Sequence, residues 1–134
     1  MVGGATPMNG ELVLSLKRMN AIEEVDDASG QLVTQSGTTL GDVQRAAAVL
    51  GWKYGIDLSA RETASIGGTI ATNAGGSQVL RYGNTRHQLL GVEAVTGTGD
   101  IIGDLRGLTK DNTGYHLPGL LCGSEGTLAI ITKA

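Results

Sequence analysis

The sequence predicts an α+β fold in which a mainly antiparallel sheet is flanked by helices. Apolar residues recur with period two in clusters toward both ends of the chain, and one strong helical pattern runs from Thr39 to Gly51. Strands and helices do not alternate in the strict βαβ order that a parallel sheet requires.

The first segment, ELVLSLKRM, sets Leu12, Leu14 and Leu16 against Val13, Ser15 and Lys17, as a strand would. AIEEVDDASGQLVTQSG continues as two short strands around an Asp26–Gly30 turn, so the opening is expected to be a β-meander. In TTLGDVQRAAAVLG, Thr39 stands three residues before Asp42 as a cap. Leu40, Val43, Ala47 and Leu50 follow at helical spacing, and Gly51 lies just past the end. GWKYGIDL reads as a strand leading into a loop. SIGGTIATNAGG reads as a short helix capped by Thr63 or Ser65, with Ile66, Ile70 and Ala74 on its buried face and a left-handed ending at Gly75–Gly76. RYG then places Arg81 and Tyr82 in a loop. LLGVEAVTGTGDIIG is a hairpin turning at Gly97–Asp100, DNTGYHLPGLL a loop entering a short helix, and GTLAIITKA a final strand.

A chain of 134 residues with 40% hydrophobic and 17% charged residues is one domain, or part of one, and is expected to fold. With no Phe and one Trp, the core must come from Leu, Ile, Val and Ala. A net charge of −3 without basic runs argues against nucleic acid as a partner. No apolar run reaches the ~20 residues of a bilayer span, and MVGGATPMNG lacks the character of a secretory signal, so a cytoplasmic address is expected. Cys122 has no disulfide partner and forms no metal-ligand cluster with His87 and His116; it reads as a small buried hydrophobe.

The 22 glycines are about twice the ordinary share. Gly67 and Gly68 fall in the first turn of the expected helix, where each costs roughly 0.8–1 kcal/mol relative to alanine. Two reasons stand side by side: a cofactor phosphate or ring lying on free N–H groups, or another backbone packed tightly against the helix. Arg81 is a candidate phosphate partner or a solvated loop residue. GSEGT at Gly123–Thr127 puts Glu125 on a tight turn that could form an anion-accepting nest. No P-loop, no G-x-G-x-x-G after a strand and no G-x-S-x-G elbow is present. Acid–base work by Glu125 with Asp111 or His116 is conceivable, but nothing lifts these groups above surface residues.

Taken together, VTQSGTTLGDVQRAAAVLGW, SIGGTIATNAGGSQVLRYGNTRHQLLGVEAV, KDNTGYHLPGL and GSEGTLAIIT resemble the PCMH-type FAD-binding domain of FAD-linked oxidases of the vanillyl-alcohol oxidase superfamily. Within it they are nearest the D-2-hydroxyacid dehydrogenases acting on D-lactate, glycolate or D-2-hydroxyglutarate. The resemblance runs from Val2 to Thr132. It implies FAD extended between two α+β subdomains, with residues 1–10 the tail of the first and 11–134 the second. It implies that Gly4 and Ala5 end the pyrophosphate loop and that Asp57–Thr63, Ser65, Gly67 and Gly68 run beside the cofactor. Thr72, Asn73 and Gly75 then approach the flavin or its phosphates, and Glu125, Gly126, Ile130 and Ile131 cover it largely through main chain.

The same resemblance implies that the first half of the pyrophosphate loop and the substrate domain, with its metal-site residues, fall outside residues 1–134. No catalytic or metal-binding residue, and no histidine for a covalent flavin link, is assigned here. A 2-hydroxyacid substrate is expected only with that further domain, and an open flavin face invites self-association. Ser59 and Ala129 stand where the family more often has glycine. A flavin reductase of cell-wall precursor synthesis shares the scaffold but fits KDNTGYHL poorly. The different-class alternative is a folded, non-catalytic fragment that does not retain FAD.

Overall fold

The computed structural model describes residues 5–134. Its first regular elements are β1 (Ile22–Asp26) and β2 (Gln31–Thr34), an antiparallel hairpin closed as expected through Asp26, whose carboxylate accepts from Ala28 N at 3.0 Å and Ser29 Oγ at 2.6 Å. The expected strand over ELVLSLKRM is absent. Leu12 is 99% exposed, because alternation alone makes no strand without a neighbour for its ladder, and no described segment pairs with it.

Helix α1 (Leu40–Val49) starts where the capping pattern placed it. Thr39 Oγ1 accepts from Asp42 N at 3.1 Å and donates to Asp42 Oδ2 at 2.6 Å. Leu40, Val43 and Ala47 face the core, whereas Leu50 is the 40%-exposed C-cap, and Gly51 follows at φ 78°. GWKYGIDL makes no strand: its pairing is limited to a parallel bridge between Asp57 and Gly76, and its main chain follows the packing of Ile56 and Gly55 into the interior.

Helix α2 (Ile66–Ala71) buries Ile66 and Ile70 as expected but ends early. Asn73, at φ 47°, supplies the left-handed residue; its N–H bonds Ile70 O at 3.0 Å and Ala74 N–H bonds Thr69 O at 2.9 Å. Gly76 is reserved for a different constraint, since a Cβ there would lie 2.1 Å from Asp57 O. RYG is not a loop: Arg81 and Tyr82 belong to α3 (Val79–Tyr82), and the guanidinium of Arg81 lies 5.2 Å from the Tyr82 ring centroid. A further turn, α4 (Thr85–Gln88), follows.

Strands β3 (Val92–Thr96) and β4 (Ile101–Asp104) form the expected hairpin, α5 (Leu117–Leu121) carries Pro118 in its first turn, and β5 (Ala129–Lys133) pairs antiparallel with β3. The three-stranded sheet has the order β4-β3-β5. Its free edge reaches the first hairpin through Thr34 N to Ala134 O at 2.8 Å and Ser36 N to Thr132 O at 2.9 Å. Every strand pair is antiparallel, and α1 and α2 bury their apolar residues with Val92, Ala94 and Ile131 of the sheet.

Candidate functional site

The start of α2 is fastened to the segment before α1. Ile66 N donates to Thr38 O at 2.9 Å, Gly67 N to Ser36 O at 2.8 Å, Gly68 N to Ser65 Oγ at 3.2 Å, and Thr69 N to Ser65 O at 2.9 Å. Ser65, not Thr63, is the cap. These bonds occupy the donors of the first turn, so of the two reasons for its bareness the structure favours close packing there over a phosphate on free N–H groups.

The two adjacent glycines part company. Gly67 is buried, and a Cβ on it would fall 2.7 Å from Ser36 Cβ. Ser36 itself is 1% exposed, with its hydroxyl donating to Ile131 O at 2.6 Å. The bareness of Gly67 is therefore packing. Gly68 is exposed, and the nearest atom to an added Cβ would be the Ser65 hydroxyl at 3.1 Å.

Beyond Gly68 the surface continues through the end of α2 into a second loop. Exposed Thr72 turns its hydroxyl back onto Gly68 O at 2.8 Å. Gly123 N donates to Ile70 O and Glu125 N to Ala71 O, both at 2.9 Å, so the Gly123–Thr127 loop docks on the C-terminal end of α2. Glu125 takes φ 53°, and Glu125 and Gly126 are exposed. The anticipated anion nest fails for the same reason as the helix start: Gly123, Ser124, Glu125 and Thr127 all donate their N–H groups within the chain. Asn73 Oδ1 accepts from Arg86 N at 3.1 Å, and the Cys122 thiol lies 3.6 Å from it.

Of the expected site residues, Ser65, Gly68, Thr72, Asn73, Glu125 and Gly126 thus lie on or beside one bonded junction. Gly75 is half-buried, and a Cβ on it would be 3.2 Å from Val79 Cγ2. Ile130 is half-buried in β5. The Ile131 side chain is 5% exposed in the core, because alternate strand residues face opposite ways, so only its main chain is left for the expected cover. Ala5 is exposed, with no hydrogen bond tying it to this group, and Gly4 lies outside the described residues.

The expected slot around Gly67 and Asn73 is instead an open face. A cavity of about 400 Å³ opens elsewhere, lined by Leu32, Val43, Tyr54, Ile66, Ile70 and Leu89 together with polar groups of the first hairpin. It adjoins the buried residues of α2, not Gly68 or Asn73. Burial pushes the Tyr54 hydroxyl up to about 12, with the nearby Cys122 adding to the rise. Cys122, 1% exposed, is the expected buried hydrophobe; burial raises its thiol pKa against the lowering effect of the Arg86 charge, which keeps it protonated. Asp111 offers no base: hydrogen bonds from Thr113 hold its carboxyl below the usual range, and Arg106 pairs with it at 2.8 Å.

Residues 1–103 match the family described as FAD binding domain. The chain belongs to that family. It is 46% identical over 132 residues to a D-2-hydroxyglutarate dehydrogenase of Xanthomonas citri pv. viticola, covering 98% of this chain and 28% of that protein. It is equally identical to the mitochondrial D-2-hydroxyglutarate dehydrogenase of Bos taurus, of which it covers 24%. A solved alkyldihydroxyacetonephosphate synthase superposes with a TM-score of 0.81 at 29% identity, over 100% of this chain and 24% of that one. The chain thus spans about a quarter of the length of the relatives it matches. The resemblance drawn from its motifs, the α+β fold and FAD as the cofactor all stand with this FAD-binding domain. No helix among its described residues is long and apolar enough to cross a membrane.

Sequence reasoning missed Ser36, which closes the core side of α2, and Arg86, which sits at the outer junction. Both lie inside the stretches that carry the family resemblance, but nothing in their residue type or spacing singled them out; Arg81, closer to the glycines in sequence, drew the attention that Arg86 warranted.

Proposed function

We propose that this chain supplies part of the FAD-facing surface of a flavin-dependent oxidoreductase that oxidises a 2-hydroxyacid of the D-2-hydroxyglutarate, D-lactate or glycolate type. Bound there, FAD would supply the hydride-accepting flavin for oxidation at C2 of the hydroxyacid. The chain's part is to hold and orient: Ser65 and Gly68 offer a flat helical edge, Thr72 and Asn73 its end, and Glu125 and Gly126 a main-chain cover. Ala5, Gly75 and Ile130 belong to the same proposal at its margins, as does the division of residues 1–10 and 11–134 between two subdomains. A 2-hydroxyacid would be engaged by further parts of the protein.

Gly68 carries this reading. It stands in a helix, where glycine costs about 1 kcal/mol against alanine, and its environment is open where that of Gly67 is closed. A planar group laid along the helix would need that opening. FAD titration of the full chain, followed by flavin absorbance and fluorescence, is the test. Gly68→Val is expected to weaken binding at least about tenfold, or ~1.4 kcal/mol, with helical content unchanged. Equal binding by wild type and variant would remove Gly68 from the site.

One observation favours a second reading, a folded chain that does not retain FAD alone. Met8, Leu12, Val13 and Leu14 are each at least 67% exposed, an apolar strap that also invites self-association. A colourless preparation that fails to take up FAD at micromolar concentration, yet melts cooperatively, would establish it. A cytoplasmic address is proposed with the leading reading; fractionation that finds the protein in mitochondria, as the bovine relative's name has it, would replace it.

A further inference from the structure

Arg86 occupies an unusual place for a surface arginine. No carboxylate pairs with it among the described residues. Its guanidinium instead donates through Nη1 to Gly119 O and through Nη2 to Cys122 O, two carbonyls at the C-terminal end of α5. Those carbonyls lie at the end of the helix where acceptors have no intrahelical partner, and a cation is favoured there. From its own main chain Arg86 donates to Asn73 Oδ1 at 3.1 Å. A Cβ on Gly123 would lie 3.4 Å from both Arg86 Nη2 and Asn73 Cβ, so the start of the loop fits between the two residues.

Three pieces of chain therefore meet at one residue, the end of α2 at its main chain and α5 with the following loop at its side chain. The left-handed end of α2 is held through Asn73, the end of α5 through its carbonyls, and the Gly123–Thr127 loop begins one residue after Cys122. From the other side, Ile70 O and Ala71 O hold that loop through Gly123 N and Glu125 N. Without the fork, α5 and the loop would keep the two α2 hydrogen bonds and the core packing of Leu121 and Cys122, but would lose the hold on the Gly119 and Cys122 carbonyls that fixes the end of α5 against them.

We infer that Arg86 is a positioning residue for FAD, clamping the Gly123–Thr127 loop level with the end of α2 so that both present main chain to the same ligand. The FAD part of this inference rests on the function proposed above; the clamp itself does not.

Arg86→Ala and Arg86→Lys in the full chain test both parts. Because a lysine ammonium cannot span two carbonyls as a planar fork does, both variants are expected to bind FAD at least about tenfold more weakly than wild type. Millimolar guanidinium ion is expected to restore binding to Arg86→Ala. Val43→Ala, a core change in α1 that removes none of the junction's hydrogen bonds, is expected to lower the melting temperature without changing FAD affinity. The clamp is read without cofactor through Cys122: freed from the fork, the thiol is expected to react several-fold faster with a thiol reagent in Arg86→Lys, since exposure limits a buried thiol before its pKa does. Unchanged thiol reactivity in folded Arg86→Lys would overturn the clamp whatever FAD does. Faster thiol reaction with wild-type FAD affinity in both variants, or an equal affinity loss in Val43→Ala, would overturn the positioning role. Wild-type chain that binds no FAD, with Arg86→Lys still exposing Cys122, would instead sink the function proposed above and the positioning role with it, leaving a structural clamp.

Discussion

The two edges of α2 are equally bare and bare for different causes. On the inner edge, Gly67 lies against Ser36, and its missing side chain and its N–H are both consumed by the contact. On the outer edge, one residue along, Gly68 meets only the rotatable hydroxyl of its own cap. Glycine enrichment alone cannot distinguish a position where main chain packs on main chain from one where space is left outside. The distinction matters here, since the function proposed above needs an open surface, and only the outer edge, with Thr72, Asn73 and the Gly123–Thr127 loop, lies outside the core.

Substitutions at the two glycines sharpen the contrast most. Gly67→Val should cost about 3 kcal/mol or more, as overpacking against main chain and a fully buried serine has no flexible neighbour to yield; chemical denaturation would show the lowered midpoint. Gly68→Ala should do the opposite, raising stability by up to ~1 kcal/mol through helix propensity. If both destabilise by similar amounts, the outer edge is closed too, and the contrast fails. Removing the cap with Ser65→Ala should cost about 1 kcal/mol, measurable in the same experiment, and should act on both edges because Ser65 Oγ holds Gly68 N.

The smallest expected effect is a pH dependence at the other capped helix. The Asp42 carboxyl is held below its ordinary pKa, first by the Thr39 hydroxyl and then by Arg45. A depressed folded-state value means that the contribution is present above the ordinary aspartate pKa, about 4, and is lost as pH falls through the lowered value. Asp42→Asn should therefore flatten the acid limb of the stability profile slightly, while Gly68→Ala should leave its shape unchanged.

Much of this architecture was legible in the chain. Thr39 and Asp42 announced the start of α1, Gly97–Asp100 the β3–β4 turn, and Ile66 with Ile70 the inward side of α2, because caps, turns and apolar spacing act over a few residues. Other readings failed where a distant partner decides. ELVLSL alternates correctly yet has no ladder neighbour among the described residues. The end of α2 fell on Asn73 rather than Gly75–Gly76, since Gly76 had to approach Asp57 and Asn73 could reach the left-handed region while its side chain bonded Arg86. Arg86 carried nothing that set it apart from its neighbours in the stretch around it.

By itself, then, the sequence determined α1, α2, the two hairpins and the last strand, the antiparallel class and the FAD-binding family, through local conformational preference and the ordered set of glycine-rich motifs. Only the tertiary structure decided which glycine is sealed and which is open, and that the ends of α2 and α5 meet at one arginine. Those facts depend on contacts between residues far apart in the chain, such as Ser36 with Gly67 and Arg86 with Cys122, whose geometry exists only once the core has closed around them.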